Sequence, residues 1–523
     1  MARSTIQHWQ KCQSAIDAAP EVIEFFESPA GMAFLHRLVL AAHFVMTMVG
    51  PCGIRLVCLF LKLTGVDQFV AGSYGSQQKV SAAMEEAIVQ YGEEEKERLA
   101  EGMELKEITI CEDENFHQDP CLVGIEPVSN FIVMEKYSPD RTAEHWTAGL
   151  REATKGLPLK VIQSTSDEGK GIVRHTQEHL GAHHSPDVFH VQHELVKGTS
   201  VALRNRKKRA QKEVAEAAAE LNRKQELKQS YLTGKRGRGR PPHFDKQIRS
   251  AQERLSEAEK ALATAQRQQE AAKEAIRGIA EDYHPYDLES GAEKTSEEVS
   301  ISLNQRFAEI EAIAAAANLP ANNMKKIEKA KRVLGSMVAT IAFFYFMVRA
   351  KVEALGLPPV QERAMYRHLI PGIYLSCVAS KSSNSERRNA LRQRSGELLA
   401  PLLVDDGPFS NCTREQKLLI ENVATECAQL FQRSSSCVEG RNGYLSLRHH
   451  GLHRISDRKL AALTTVHNFF TQDSQERTPA ERLFGTKPKE LFHHLLDRVD
   501  LPGRPAQKRP TTRNRYGPFL AAA

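Results

Sequence analysis

Over the first hundred residues apolar side chains recur on more than one helical face. The runs "FLHRLVLAAHFVMTMVG" and "GIRLVCLFLKLTG" are punctuated by Gly50, Pro51, Gly53 and Gly65, which predicts a helical region over residues 1–104. Beyond Gly65, "VDQFVAG" predicts a short helix, Gly72 a turn, and "SYGSQQKVSAAMEEAIVQYGEEE" a longer helix. That order has helix-turn-helix spacing and places Gln77, Gln78 and Lys79 at the start of a candidate DNA-reading helix. Any helical bundle contains such turns, so the pattern alone is weak.

From Leu105 the period shortens. "EITICED" predicts a strand, "CLVGIEPVSNFIVMEKY" a hairpin turning near Pro127 to Asn130, and "LKVIQSTSD" another strand. "TAEHWTAGLREATKGL" predicts an amphipathic helix ended by Gly156, and "DVFHVQHELVKG" a last short strand. The predicted order β, β, β, α, β, α, β over residues 105–198 implies a mixed α/β sheet with helices packed on it.

The pattern is then helical across residues 199–413. Ile248, Ala251, Leu255, Ala258, Leu262, Ala265, Gln269, Ala272, Ile276 and Ile279 fit one heptad frame, with Gln269 its polar member. Leu203, Ala210, Val214, Ala217, Leu221 and Tyr231 fit a second, with Lys207, Lys224 and Lys228 on its seam. Two such helices joined by "TGKRGRGRPPHF" predict an antiparallel coiled-coil hairpin with a basic tip. Residues 414–500 hold further helices around "CVEGRNGYLSLRHHGLHRIS", and residues 501–523 form a basic tail.

Charge sharpens this picture. Residues 201–250 carry fifteen Lys/Arg against five Asp/Glu, and the tail adds Arg504, Lys508, Arg509, Arg513 and Arg515 with no acid. Clustered cations favour a polyanion, because binding it releases counterions. The segment Lys235, Arg236, Arg238, Gly239, Arg240, Pro241 contains the Arg-Gly-Arg-Pro core of an AT-hook. In such a core, glycine lets an extended backbone enter a narrow minor groove and the arginines meet its negative potential. Nine Cys without a CxxC pair, and no signal-peptide pattern, fit a reducing cytoplasm. The apolar stretches Ala33–Leu63 and Val333–Val348 are expected to be core helices. Charged residues and His interrupt the first, and the second is shorter than the roughly 20 residues a span needs.

Three acids are the candidate chemistry: Asp113 at the end of the first strand, Asp167 at the end of "VIQSTSD", and Glu439 in "SSSCVEGRNG". Carboxylates gathered at strand ends repel one another unless cations neutralise them, and two Mg²⁺ about 3.5–4 Å apart would do so while activating a water or 3′ hydroxyl on a phosphodiester. Acids at strand ends are, however, more often solvated turn residues. His183, His184, His190 and His193, with His449, His450 and His453, raise a zinc alternative. It is the weaker reading, because a strand would put His190 and His193 on opposite faces.

The segments "CEDENFH", "CLVGIEPVSNFIVMEKY", "VIQSTSDEGKGI", "AHHSPDVFHVQHEL", "VEGRNGYLSLRHH", "TTVHNFF" and "TPAERLFG", in this order from about Val22 to Arg509, resemble a bacterial insertion-sequence transposase family. In that family an RNase H-like DDE domain is split by a long helical insertion. The resemblance implies that Asp113, Asp167 and Glu439 are catalytic and metal-holding, and that Arg441 and Asn442 complete an "E..N" signature and face DNA. It implies two Mg²⁺, with Mn²⁺ as a substitute, double-stranded DNA as element end and target, and at least a dimer on DNA with no membrane. Asp187 with His190 matches its "D.FH" pattern. Asp113 and Asp167 are 54 residues apart and Asp167 and Glu439 are 272 apart; the insertion accounts for the second interval. Glu421 and Glu426 are rivals to Glu439. The expected architecture is therefore α/β plus all-α: an RNase H-like mixed-sheet core over 105–198 and 414–500, a coiled-coil insertion over 199–413, and an N-terminal helical region. The expected activity is strand cleavage and strand transfer. The alternatives are a nuclease or resolvase that does not join ends, and a catalytically dead DNA-binding descendant.

Overall fold

The computed structural model describes residues 16, 18–116, 119–234, 242–452 and 455–503. The expected basic tip, Lys235 to Pro241, and the tail from Arg504 lie outside the described residues. In chain order the elements are α1 (Pro20–Glu27), α2 (Pro29–His43), α3 (Ile54–Leu63), α4 (Tyr74–Ala100), β1 (Lys106–Phe116), β2 (Pro120–Glu126), β3 (Phe131–Tyr137), α5 (Ala143–Ala153), β4 (Leu159–Ser166), α6 (Lys170–Arg174) and β5 (His183–Pro186). There follow α7 (Val188–Thr233), α8 (Phe244–Asp282), α9 (Ser296–Ala316), α10 (Ala321–Lys331), α11 (Leu334–Glu353), α12 (Pro359–Ala364), α13 (Ile370–Lys381), α14 (Ser385–Leu399), α15 (Arg414–Leu430), α16 (Ser436–Leu452), α17 (Asp457–Phe469), α18 (Pro479–Phe484) and α19 (Leu491–Arg498). Among the described residues the chain is mostly helical, with one mixed sheet of order β3-β2-β1-β4-β5. It groups into two compact units that divide within β4, after Val161, and again after Ser435.

The first unit, up to Val161 and again from Ser436, holds β1, β2 and β3 as an antiparallel meander. The β2–β3 turn is closed by Glu126, which accepts from Val128 N at 2.9 Å and Ser129 N at 2.7 Å, with Asn130 at φ 65°. β3 is the edge strand, and α17 covers it: Asn468 accepts from Ile132 N at 2.8 Å and donates to Ile132 O at 2.9 Å, filling the place of a neighbouring strand. The N-terminal helices bury Leu35, Val39, Val57, Leu61, Val66 and Val70 together. The short helix expected in "VDQFVAG" is one 3₁₀ turn, Val66–Gln68. Gln77 is fully buried, its amide taken by His43 Nε2 at 2.7 Å and Ala71 O at 2.8 Å, so it braces α4 against α2 and faces no base; Gln78 and Lys79 are exposed.

In the second unit, Ile162 to Ser435, β4 and β5 run parallel, with Ser166 opposite Pro186. The segment from Val188, expected as a strand, opens α7 instead, because Asp187 caps it by accepting from Phe189 N at 2.7 Å and its apolar residues Val188, Val191 and Leu195 fall on one buried helical face. His190 and His193 are therefore one helical turn apart rather than on opposite faces of a strand. α7 and α8 form the expected antiparallel hairpin with Ala210, Ala217, Ala251, Ala258, Ala265 and Ala272 buried along its seam. Two of the three seam lysines are satisfied across it: Lys228 meets Asp245 at 2.7 Å and Lys224 meets Gln247 at 3.3 Å, while the Tyr231 and Phe244 rings sit 5.2 Å apart near its end. The unit's main core takes Ala275, Ile276 and Ile279 from α8 and joins them to Phe307, Ile341, Phe344 and Leu375.

Two helical stretches, Pro29–Val49 and Ala321–Glu353, are long and apolar enough by length and composition to cross a membrane, the second running to 33 residues where a shorter stretch was expected. Each also places one face in its unit's core, through Leu35 and Val39 in the first and Ile327, Met337, Ile341 and Phe344 in the second.

Candidate functional site

The first unit positions Asp113 from within a strand rather than beyond its end. β1 continues to Phe116, so Glu112, Asp113 and Glu114 are ladder residues, with Asp113 opposite Val123 and Glu114 opposite Leu122. Alternation separates their roles. Glu112 is fully buried, and Glu114 pairs with Arg141, whose guanidinium also lies 5.5 Å over the Phe116 ring. Asp113 faces the other way, where its Oδ2 accepts from Asn442 Nδ2 at 3.2 Å and its Oδ1 from Glu114 N at 2.9 Å. Asn115, on the same face, donates to Asn442 O at 3.4 Å.

Asn442 belongs to α16, whose first turn carries Glu439, and the two positions share a face three residues apart. The helix is fixed by charge as well. Arg441 grips Glu135 of β3 bidentately at 2.7 and 2.6 Å, Thr464 donates to the same carboxylate at 2.6 Å, and both charged side chains are buried. Burial works against the guanidinium, but Glu135 outweighs it and holds Arg441 above its ordinary range. Arg441 was expected to face DNA; at 5% exposure it is an internal bracket instead. At the far end of α16, Arg448 is fully buried and donates to the main-chain oxygens of Thr47 at 3.0 Å, Met48, and Val49 at 3.0 Å.

The second unit gathers acids at the C-terminal ends of two parallel strands, where open α/β sheets place their sites. Asp167 directly follows β4 and Asp187 directly follows β5, and Asp187 N donates to Ser166 O at 3.0 Å. Asp167 Oδ1 accepts from Gly169 N at 2.9 Å, closing the "SDEG" turn. Burial, then the neighbouring Asp167, raises the Glu168 carboxyl above its usual range. Asp187, 1% exposed, accepts from Ser435 N at 3.0 Å and from Ser435 Oγ, and His190 Nε2 stands 4.0 Å away. This buried carboxylate beside Asp167 was not among the expected site residues, although the "DVFH" pattern had marked it.

Two other histidines of this unit have packing roles. His183 stacks on Phe343 at 4.5 Å and contacts Thr340 Oγ1 at 3.0 Å, and burial followed by His184 lowers it to about 4. His184 Nε2 contacts Ser166 Oγ at 3.0 Å. Of the rivals to Glu439, Glu421 is exposed and Glu426 is paired with Lys351 at 3.2 Å, both on α15.

One family model matches. It covers residues 365–511 and is described as a family of unknown function, DUF6399. No curated protein matches the chain. The matched stretch contains Glu439, Arg441 and Asn442, while Asp113 and Asp167 precede it, and the description assigns it no chemistry.

Proposed function

We propose that this chain is a DDE-type DNA transposase in which Asp113, Asp167 and Glu439 act together on the phosphodiester at an element end. The observation that carries the reading is the Asn442–Asp113 hydrogen bond: it ties β1 to the helix whose first turn bears Glu439, which favours Glu439 over Glu421 and Glu426. One further feature supports it. The mixed sheet is compatible with the RNase H-like core that the resemblance implies, with α7 to α14 as its insertion.

The donor set fits Mg²⁺, which prefers oxygen ligands in place of His or Cys. When bound, a divalent pair supplies an activated nucleophile and neutralises charge on the leaving oxygen. The chain's own residues do the positioning. Asn442 aims one Asp113 oxygen, the Gly169 amide orients Asp167, and the Arg441–Glu135 bracket holds α16 in register with β3. Cleavage of both ends of an element calls for two copies of the chain on DNA, in the cytoplasm with the nucleoid.

A labelled duplex carrying the inverted repeats that flank the gene tests this. Asp113→Asn, Asp167→Asn and Glu439→Gln should each abolish Mg²⁺-dependent cleavage and strand transfer while duplex binding persists. Full cleavage by any one of them removes that residue from the site. Cut but unjoined products indicate a nuclease, and no cleavage by the unaltered protein with any divalent ion indicates a binding protein.

A further inference from the structure

The hairpin carries a positively charged surface at its root as well as in the sequence of its tip. α10 lies against α7 at Gly198, where an added Cβ would stand 3.1 Å from Ile327 Cγ1, 3.2 Å from Asn323 O and 3.4 Å from Lys326 Cβ. Asn323 Nδ2 donates to Gly198 O at 2.6 Å. The helices run antiparallel, since Lys329 reaches back to Glu194 at 3.7 Å. Along α7, Arg209 and Lys212 continue the face of Gly198 at helical spacing, with Arg206 and Lys208 flanking them.

Three local acids are already neutralised: Glu194 by Lys197 and Lys329, Glu216 by Lys212, and Glu328 by Arg332. Arg204, Arg206, Lys208, Arg209, Lys325 and Lys326 have no ion pair among the described residues, and all but Arg206 are exposed. Cations without an ion-pair partner need break no existing pair to meet an anion.

We propose that this α7–α10 surface grips the phosphate backbone of a nucleic-acid duplex, deepening the reading above, on which it rests for the identity of the partner as DNA. Arg204, Lys208 and Lys212 follow one another at four-residue steps, about 6 Å of helix each, giving a row of charges along the root. Residues 197–212 and 321–331 contain no aromatic side chain. Single-strand binding draws on stacking against aromatics, so the surface fits a duplex, held by phosphate contacts without base readout.

The test is fluorescence anisotropy of a labelled mixed-sequence DNA duplex over a salt series, with the full-length chain. Two variants are compared, Arg206→Ala/Lys208→Ala/Arg209→Ala on α7 and Lys325→Ala/Lys326→Ala on α10, with far-UV circular dichroism confirming the helix content that alanine should preserve. Each should weaken binding about tenfold or more near physiological salt and reduce the slope of log K against log salt by about one per cation removed. Unchanged affinity and slope in either variant, or a preference for single strands, overturns the proposal. So does an unaltered protein whose duplex binding ignores salt. Mg²⁺-dependent cleavage, read on the same preparations, reports separately on the catalytic acids, so the two readings fail independently.

Discussion

Two residues of the first unit have consequences that can be measured singly. Arg441 and Glu135 are both buried, so removing one leaves a charge with no partner and no water. Arg441→Ala should destabilise the protein by about 3–5 kcal/mol, measured by urea denaturation, and pairing it with Glu135→Leu should recover much of the loss. His467 is the second. Its Nε2 donates to Asn130 O at 2.9 Å, and burial, then Arg441, depresses the ring from its ordinary 6.5 to about 4. The unfolded chain takes up that proton near pH 6.5, whereas the folded protein refuses it until about pH 4. The stabilisation it gives is therefore complete above 6.5, declines as pH falls through the interval, and is gone below about 4. Denaturation midpoints at neutral pH and near the bottom of the interval should show this decline, and His467→Gln should flatten it.

At the scale of elements, the α7–α8 hairpin joins through alanines, which leaves little room. Ala265, 1% exposed, sits mid-seam, and Ala265→Leu should cost about 1–3 kcal/mol by forcing the helices apart, visible as a lowered thermal midpoint. The seam was legible in the sequence because the heptad frame survives its lysines; the partners of Lys228 and Lys224, Asp245 and Gln247, come from the opposing helix and could not be read from α7 alone. The meander was legible too, down to the turn at Asn130. "DVFHVQHELV" was not: its apolar Val188, Phe189 and Val191 fit a short strand, and only the Asp187 cap and the burial of Val191 and Leu195 choose the helix. Asp113, Asp167 and Glu439 were found by type and resemblance. That Arg441 would be internal required Glu135, 306 positions away in sequence, and no local pattern announces such a pairing.

For the molecule as a whole, the hairpin is separable from the core it grows out of. The second unit's core takes only Val188, Val191 and Leu195 from α7 and nothing from α8 before Ala275, and the small cluster above it ends at Leu203 and Ala272. Deleting residues 211–264 and closing the gap with a short glycine-rich loop should therefore leave a folded protein whose thermal midpoint lies within a few degrees of the parent's. Loss of cooperative unfolding would show that the outer arm supports the core. The same deletion removes the AT-hook-like tip but keeps Arg204 to Arg209, so retained duplex affinity would place the grip at the root and lost affinity would place it in the arm.

The hold of Arg448 on the main-chain oxygens of Thr47, Met48 and Val49 differs in kind from that of Arg441 on Glu135. A carboxylate can be removed by substitution, whereas a peptide oxygen belongs to the chain itself. Replacing Glu135 should therefore loosen α16 from one end only: its first turns come adrift from β3 while its tail stays moored to the amino-terminal helices.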